Sequence, residues 1–387
     1  MLRGSPRILL APDKFKGTLT AGEVADCLAA GIRRVLPVAS TRVLPVADGG
    51  DGTLEVALAA QHTLVEVAAS GPLGAPATVG VATRGSVAVV ELARICGLQA
   101  LPAGELQPEH CTTLGLGLAM RAALELGFRH LVVGLGGSAS TDGGAGMLVG
   151  LGARLLDEAG HELSPTPHHL MDAVRLDLST LTPAAQGADF TFAVDVDAPL
   201  LGPHGAAHVF GPQKGADPAT VQRLERAMAH WARLVQDVIP DADPQAAGAG
   251  AAGGTAFAGL ALGGQLRSGS DLCLDLSGFD EVLRHADVVV TGEGRLDAQT
   301  LLGKAPLKVA TRARAAGLPA IAVVGSRSSH LSDRALADHG FGRVYALVDE
   351  AAEASQDLAL SRQALRTIGA RIAEDICQFI PSPPESE

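Results

Sequence analysis

The chain is 387 residues long and carries 30 Lys and Arg against 42 Asp and Glu, a formal net charge of −12. No Lys/Arg run marks a basic face, which argues against nucleic acid and anionic membranes as partners but leaves room for a small anion held by a few placed cations. The length predicts two domains, and 47% apolar residues without a low-complexity tract predict a packed globular protein rather than a disordered one.

Glycine is abundant at 47 residues while Trp and Tyr occur once each, and with no repeat period the excess points to tight turns and close backbone approaches. Cys27, Cys96, Cys111, Cys273 and Cys377 are scattered with no CxxC pair, as reduced thiols of a cytosolic protein would be. The opening MLRGSPRILLAPDK has too short an apolar run for a secretory leader. Residues 246–264 are uncharged but mostly Gly and Ala, too weakly hydrophobic to span a membrane. The tail PSPPESE reads as disordered.

RILLA (7–11) predicts a buried strand ending at Pro12-Asp13. A helix follows, with Thr20 and Glu23 spaced as a capping box and Val24, Leu28 and Ile32 on one face. RVLPVA (42–47) predicts a second strand, ending at Asp48-Gly49-Gly50-Asp51-Gly52, and residues 53–60 the next helix. This order implies a parallel sheet. The runs 64–68, 77–83 and 87–91 are short and separated by Gly/Pro turns, which predicts antiparallel strands. HLVVGLGGSASTDGG (130–144) reads as strand, glycine-rich loop and helix start. Residues 218–238 predict a long helix, with Asp217 as N-cap, Pro218 in the first position and Val221, Leu224, Met228, Trp231 and Val235 as buried stripe. The strand–helix rhythm returns with DVVVTG (287–292), a helix at 299–316, AIAVVG (320–325), a helix near 333–339, RVYALV (343–348) and an amphipathic helix over 356–376. The expected architecture is α/β. Residues 1–60 and 285–387 form a doubly wound parallel sheet, residues 61–284 an inserted α/β domain, and the active site lies in the cleft between them.

In open parallel sheets, ligands bind outside the carboxyl ends of the strands. Asp13, Lys14 and Lys16 follow the first predicted strand, Asp48 and Asp51 the second, and Glu293, Arg295 and Asp297 the 287–292 strand. Any one of these loops is as readily ordinary turn chemistry, but several with carboxylates and cations on one edge are harder to explain that way. The 134–144 loop offers backbone N–H groups and a helix N-terminus to an anion, with Ser138, Ser140, Thr141 and Asp142 beside them. Asp195 and Asp197 end the 192–197 run, and Lys214 sits in the tight turn of VFGPQKGA (209–216). GAGAAGG (248–254) lets backbone approach something closely, either a helix or a phosphate, with helix packing the favoured reading. The histidines, including His168-His169, lack metal-ligand spacing, and Cys111 has no base partner. The absence of GxxxxGK[ST] excludes a P-loop kinase, and Gly134-x-Gly136-x-x-Ala139 is a weak dinucleotide match.

Taken in order, APDKFKGTLTA (11–21), PVADGGDGTLE (45–55), GLGGSASTDGGAGM (134–147), VDVDAPLLGPHGAAHVFGPQKGA (194–216), GAGAAGG (248–254) and TGEGRLDAQTLLGKAP (291–306) resemble the type I glycerate kinase family along nearly the whole chain. Two features depart from it: Lys14 stands where the family commonly has Ser, and residues 112–118 lack the Thr and Glu of a GTGE-like stretch. The resemblance implies a flavodoxin-like domain with an inserted domain likened to a restriction-enzyme fold. It also implies an enzyme that phosphorylates D-glycerate with ATP and Mg²⁺, in the cytoplasm that the scattered thiols suggest. The 2-phosphoglycerate product is favoured over 3-phosphoglycerate, although the residues themselves do not fix the hydroxyl. A homo-oligomer stays open.

Phosphoryl transfer needs positioning and charge neutralisation. Asp195 is the expected base, with Asp13 behind it. Arg295 suits the glycerate carboxylate, and Lys16, Lys214 and Lys304 suit phosphate. Gly136, Gly137, Ser138, Asp142 and Gly143 would cradle the nucleotide phosphates. Asp48, Asp51, Glu293 and Asp297 are the expected Mg²⁺ ligands, although Asp51 and Asp297 also read as helix caps. Two rivals are a nicotinamide-dependent hydroxy-acid dehydrogenase using the 134–139 glycines and Asp157, and a non-catalytic phosphate- or nucleotide-binding regulator.

Overall fold

The computed structural model describes residues 5–102 and 105–379, so the predicted disorder of residues 381–387 lies outside the described residues. In chain order the strands are β1 (Arg7–Pro12), β2 (Ser40–Val43), β3 (Thr63–Ser70), β4 (Pro76–Arg84), β5 (Val87–Glu91), β6 (His130–Gly134), β7 (Arg154–Leu156), β8 (Arg175–Asp177), β9 (Asp189–Val194), β10 (Gln265–Ser268), β11 (Val288–Leu296), β12 (Ala320–Arg327) and β13 (Phe341–Ala346). Contacts divide the chain into two compact units, residues 1–47 with 270–387 and residues 48–269.

The first unit holds a five-stranded sheet in the order β13-β12-β11-β1-β2, parallel throughout. Counted within the unit this is the 2-1-3-4-5 order of flavodoxin-like folds, with the strand order reversing between β1 and β11. Successive side chains of a strand point to opposite faces. Ile8 and Leu10 therefore enter one core with the helices Ala21–Val35 and Leu358–Phe379, through Leu28, Ile32, Ile368 and Ile372. Leu9 and Ala11 enter a second core with Phe279, Leu283, Val309 and Leu336. Helices thus cover both faces, which is why β1 and β12 read as unbroken apolar runs. The Thr20–Glu23 capping box forms at the start of the first helix.

Two predicted elements change here. β2 ends at Val43, because Pro45 has no N–H to give the ladder, although Leu44 and Val46 still donate to the carbonyls of Leu10 and Pro12. The helix expected over 299–316 splits into a 3₁₀ turn, Thr300–Leu302, and the helix Ala305–Ala315, with Gly303 at φ +122° between them.

The second unit holds a six-stranded sheet, β10-β9-β6-β5-β4-β3, and a two-stranded one, β7-β8. The pairs β3/β4 and β4/β5 are antiparallel, as the short closely spaced runs suggested, and the rest of the larger sheet is parallel. Asp217 caps Pro218–Val238 by accepting from the Thr220 N–H at 2.7 Å, and the stripe from Val221 to Val235 is buried. The unit boundaries differ from the 60/61 and 284/285 breaks read from sequence. The helix Thr53–Ala59 packs on β4 and β5 of the second unit. Leu274, Phe279 and Leu283 fill a core of the first. Among the described residues no helix is long and apolar enough to cross a membrane.

Candidate active site

A pocket of about 210 Å³ opens in the second unit at the carboxyl ends of β6 and β9. Gly136, Gly137, Ser138 and Lys214, expected at phosphate, line it together with Asp195, the expected base, and Asp48, an expected metal ligand. Phe210 and Gln213 join them without having been anticipated.

The loop from Asp48 to Thr53 is pressed against the strand ends. A Cβ on Gly136 would lie 2.5 Å from the Gly50 Cα, so the two loops meet backbone to backbone, which only glycine permits. Asp48 Oδ1 accepts from the Gly50 N–H at 3.2 Å, and the Thr53 hydroxyl donates to the Gly50 carbonyl at 2.7 Å. Glu91, ending β5 and 1% exposed, accepts from the Leu54 N–H through Oε2 at 2.8 Å. Burial raises its pKa. Glu91 thereby ties the start of the Thr53–Ala59 helix to the sheet, a role no sequence motif announced. Asp51 precedes that helix, but the cap position is Gly52, without a side-chain cap bond. Asp195 is exposed just beyond β9, its Oδ1 accepting from the Gly269 N–H at 2.9 Å.

Lys214 sits in a 3₁₀ turn, Pro212–Lys214, and is 2% exposed. Its ammonium donates to Ser138 Oγ at 2.9 Å and to the Ser140 carbonyl at 2.5 Å. Burial lowers its pKa to about 8, with the charges of Asp142 and Cys111 working the other way.

Asp142 and Gly143 belong inside the loop. The Asp142 carboxylate is fully buried and accepts from Thr112 Oγ1, from the N–H and hydroxyl of Thr113, and from the N–H groups of Gly144 and Gly146. Burial pushes its pKa up against the pull of these bonds. Both oxygens accept from internal donors, so Asp142 braces the loop from within. Thr112 and Thr113, in the stretch that departs from the family pattern, serve this brace. Gly143 lies beneath Trp231, whose ring would be struck by any Cβ there.

Ser140 Oγ and Thr141 Oγ1 are buried with no hydrogen-bond partner among the described residues. Gly253, at φ +65°, would place a Cβ 2.1 Å from the Ser140 carbonyl, and Ala252 beside it is also left-handed at φ 53°. Within residues 248–254, Gly253 and Gly254 make their close approach to the glycine-rich loop, while Gly250 lies against the Pro199 carbonyl.

The remaining predicted groups lie on the first unit. Asp13 follows β1 with its N–H on the Gly292 carbonyl, and Lys16 is exposed. β11 runs on to Leu296, so Glu293 and Arg295 are strand residues. Glu293, 7% exposed, accepts from the Thr300 hydroxyl at 2.5 Å. Asp297 accepts from the Gln299 N–H at 2.9 Å, closing its own turn, and Arg295 reaches it at 3.8 Å. Lys304 holds the N-cap position of Ala305–Ala315. Among the described residues no group of three or more His, Cys, Asp or Glu is arranged to hold a metal ion. Asp48 and Asp51 belong to the second unit, Glu293 and Asp297 to the first. Asp157, the acid of the dehydrogenase reading, accepts from the His161 N–H at 2.8 Å within its own turn. Cys27, Cys96, Cys111 and Cys273 are buried and not joined in disulfides.

A flavodoxin-ordered sheet carrying an inserted unit with a small, charged, glycine-walled pocket is the build of an enzyme that works on small polar substrates. Residues 8–377 match the model of the glycerate kinase family, and the chain belongs to that family of phosphotransferases. It is 39% identical over 346 residues to the glycerate kinase of Bacillus subtilis (strain 168), covering 88% of this chain and 90% of that one. Against the glycerate 2-kinase of Escherichia coli (strain K12) the identity is 36% over 346 residues, with the same coverage of 88% and 90%. The crystal structure of a candidate glycerate kinase 2 from Salmonella typhimurium LT2 is similar with a TM-score of 0.83 and 35% identity, over 97% of this chain and 99% of that one.

Proposed function

We propose that the chain transfers the terminal phosphoryl group of ATP to the 2-hydroxyl of D-glycerate, with Mg²⁺. The observation that carries this reading is the second unit's pocket, in which Asp48, Asp195, Ser138 and Lys214 line about 210 Å³. That space suits a three-carbon hydroxy acid, being smaller than the roughly 300–1,000 Å³ typical of sites for larger ligands. The 2-hydroxyl is favoured by the likeness to a relative named glycerate 2-kinase.

Asp195 accepts the proton of the attacking hydroxyl, and its exposure at the end of β9 leaves it open to a substrate. Asp13 is the second choice. Mg²⁺ commonly takes one or two carboxylates and completes its shell with phosphate oxygens and waters, so the absence of a three-acid cluster is no misfit. Asp48 fits best, with Asp51, Glu293 and Asp297 as further ligands to test; the bound ion would supply charge neutralisation at the phosphates. Lys16, Arg295 and Lys304 are the cations of the first unit proposed to meet phosphate or carboxylate. Gly136 and Gly137 give backbone that can approach a ligand without side-chain obstruction.

The test is ³¹P NMR of the protein with ATP, Mg²⁺ and D-glycerate. A 2-phosphoglycerate resonance is expected. A 3-phosphoglycerate resonance would correct the acceptor hydroxyl, and unconsumed ATP would remove the reading.

A further inference from the structure

We infer that the second unit's pocket is the acceptor subsite, in which Lys214 and Ser138 grip the carboxylate of the hydroxy acid and not a phosphate of the nucleotide, while Asp195 faces its hydroxyls. The assignment rests on the kinase reading above and replaces the phosphate role expected for Lys214 from sequence.

Charge is the first argument. The lining carries one cation, Lys214, against two carboxylates, Asp48 and Asp195. A polyphosphate would bring several negative charges to a wall with a single side-chain cation of its own. A hydroxy acid brings one negative charge, for which there is one ammonium, and hydroxyl donors, for which Asp195 is an acceptor.

Donor geometry is the second. A lysine ammonium has three protons. Two are fixed on Ser138 Oγ and the Ser140 carbonyl, which aims the amine and leaves the third for a ligand. Ser138 Oγ accepts from Lys214, so its own O–H remains to be donated. Lys214 and Ser138 both line the pocket, and one N–H with one O–H would match the two oxygens of a carboxylate. The amine is buried at 2% exposure, where an ionic contact is little screened by water. A neutral polyol of the same shape would leave that ammonium unpaired and would be rejected.

The test compares Lys214→Met, which keeps the buried stem and removes the charge, with the wild type. D-Glycerate KM is expected to rise roughly 10- to 100-fold, while ATP KM stays within about threefold. Discrimination between D-glycerate and glycerol should fall by a similar factor. An ATP KM that rises while the glycerate KM does not would overturn the assignment and return Lys214 to the nucleotide.

A second measurement uses the wild type alone, so it does not depend on how the variant folds. Burial pulls the pKa of Lys214 down to about 8, against the charges of Asp142 and Cys111, and Asp48 and Asp195 line the same pocket. D-Glycerate KM should climb as the amine loses its proton while ATP KM stays flat; a glycerate KM that stays flat past the ordinary lysine value of 10.5 overturns the assignment. A wild type that makes no phosphoglycerate at any pH would sink the kinase reading itself. Turnover with a glycerate KM indifferent to Lys214 sinks only the subsite.

Discussion

The indole N–H of Trp231 donates to the carbonyl oxygen of Gly143 at 2.9 Å, joining the core of the helix Pro218–Val238 to the glycine-rich loop. Trp231→Phe keeps an aromatic ring in place and removes the donor, leaving a buried carbonyl unpaired. Urea unfolding should show a loss of about 1–3 kcal/mol, and kcat/KM should fall with it as the loop loosens. Unchanged stability would mean that a water or a shifted backbone takes the carbonyl.

Asp142 presents its oxygens to donors only, with Thr113 giving both its N–H at 2.7 Å and its hydroxyl at 2.8 Å. Asp142→Asn is nearly isosteric but turns one acceptor into a donor that faces other donors. The expected cost is again about 1–3 kcal/mol for each group left unsatisfied, read as a lower denaturant midpoint. A variant as stable as the wild type that fails only to bind nucleotide would show that Asp142 meets a ligand after all.

Lys214 makes stability depend on pH. Its pKa is pushed down from 10.5 to about 8. Between those values the unfolded chain holds a proton that the folded chain has released, so folding stability rises with pH, by about 1.4 kcal/mol per unit at most. The contribution is complete above the unfolded value and is lost as pH falls through the folded one. Wild-type stability minus that of Lys214→Met should therefore grow from about pH 7.5 to about pH 9.5. A flat difference would mean that the amine titrates as an ordinary lysine.

Asp195 is exposed, and Asn in its place should leave the thermal midpoint almost unchanged. Turnover should drop by roughly 10²- to 10⁴-fold if its carboxylate takes the hydroxyl proton. A loss within a few-fold would pass the role of base to Asp13, and Asp13→Asn would then be the variant to measure.

Much of the fold is legible because burial on both faces leaves a direct mark. RILLA and AIAVVG can be little but internal strands, and the stripe from Val221 to Val235 with Asp217 and Pro218 before it fixes a helix to the residue. Other features turn on partners far away in sequence. The helix Thr53–Ala59 follows β2 but packs on β4 and β5, so the unit boundary near residue 48 has no local sign. Glu91 ends an apolar run as any strand-edge acid might, and its partner, the Leu54 N–H, is invisible in a string of letters. The glycine-rich loop was readable as a place where backbone comes close to something. Whether an acid in it points outward or inward was not, and Asp142 points inward.

In the first unit's sheet, β1 is flanked by β2 and β11. β2 leaves the ribosome soon after β1, but β11 follows only once residues 48–269 have been made. At roughly 5–20 residues per second, the nascent β1 waits tens of seconds without its central neighbour. Residues 48–269 form one uninterrupted stretch and can condense as soon as they emerge. The middle of the chain can thus fold before its beginning meets the central strand of its own sheet. Nascent-chain chaperones should engage residues 7–47, and stalling translation before residue 288 should leave that segment open to protease while residues 48–269 resist.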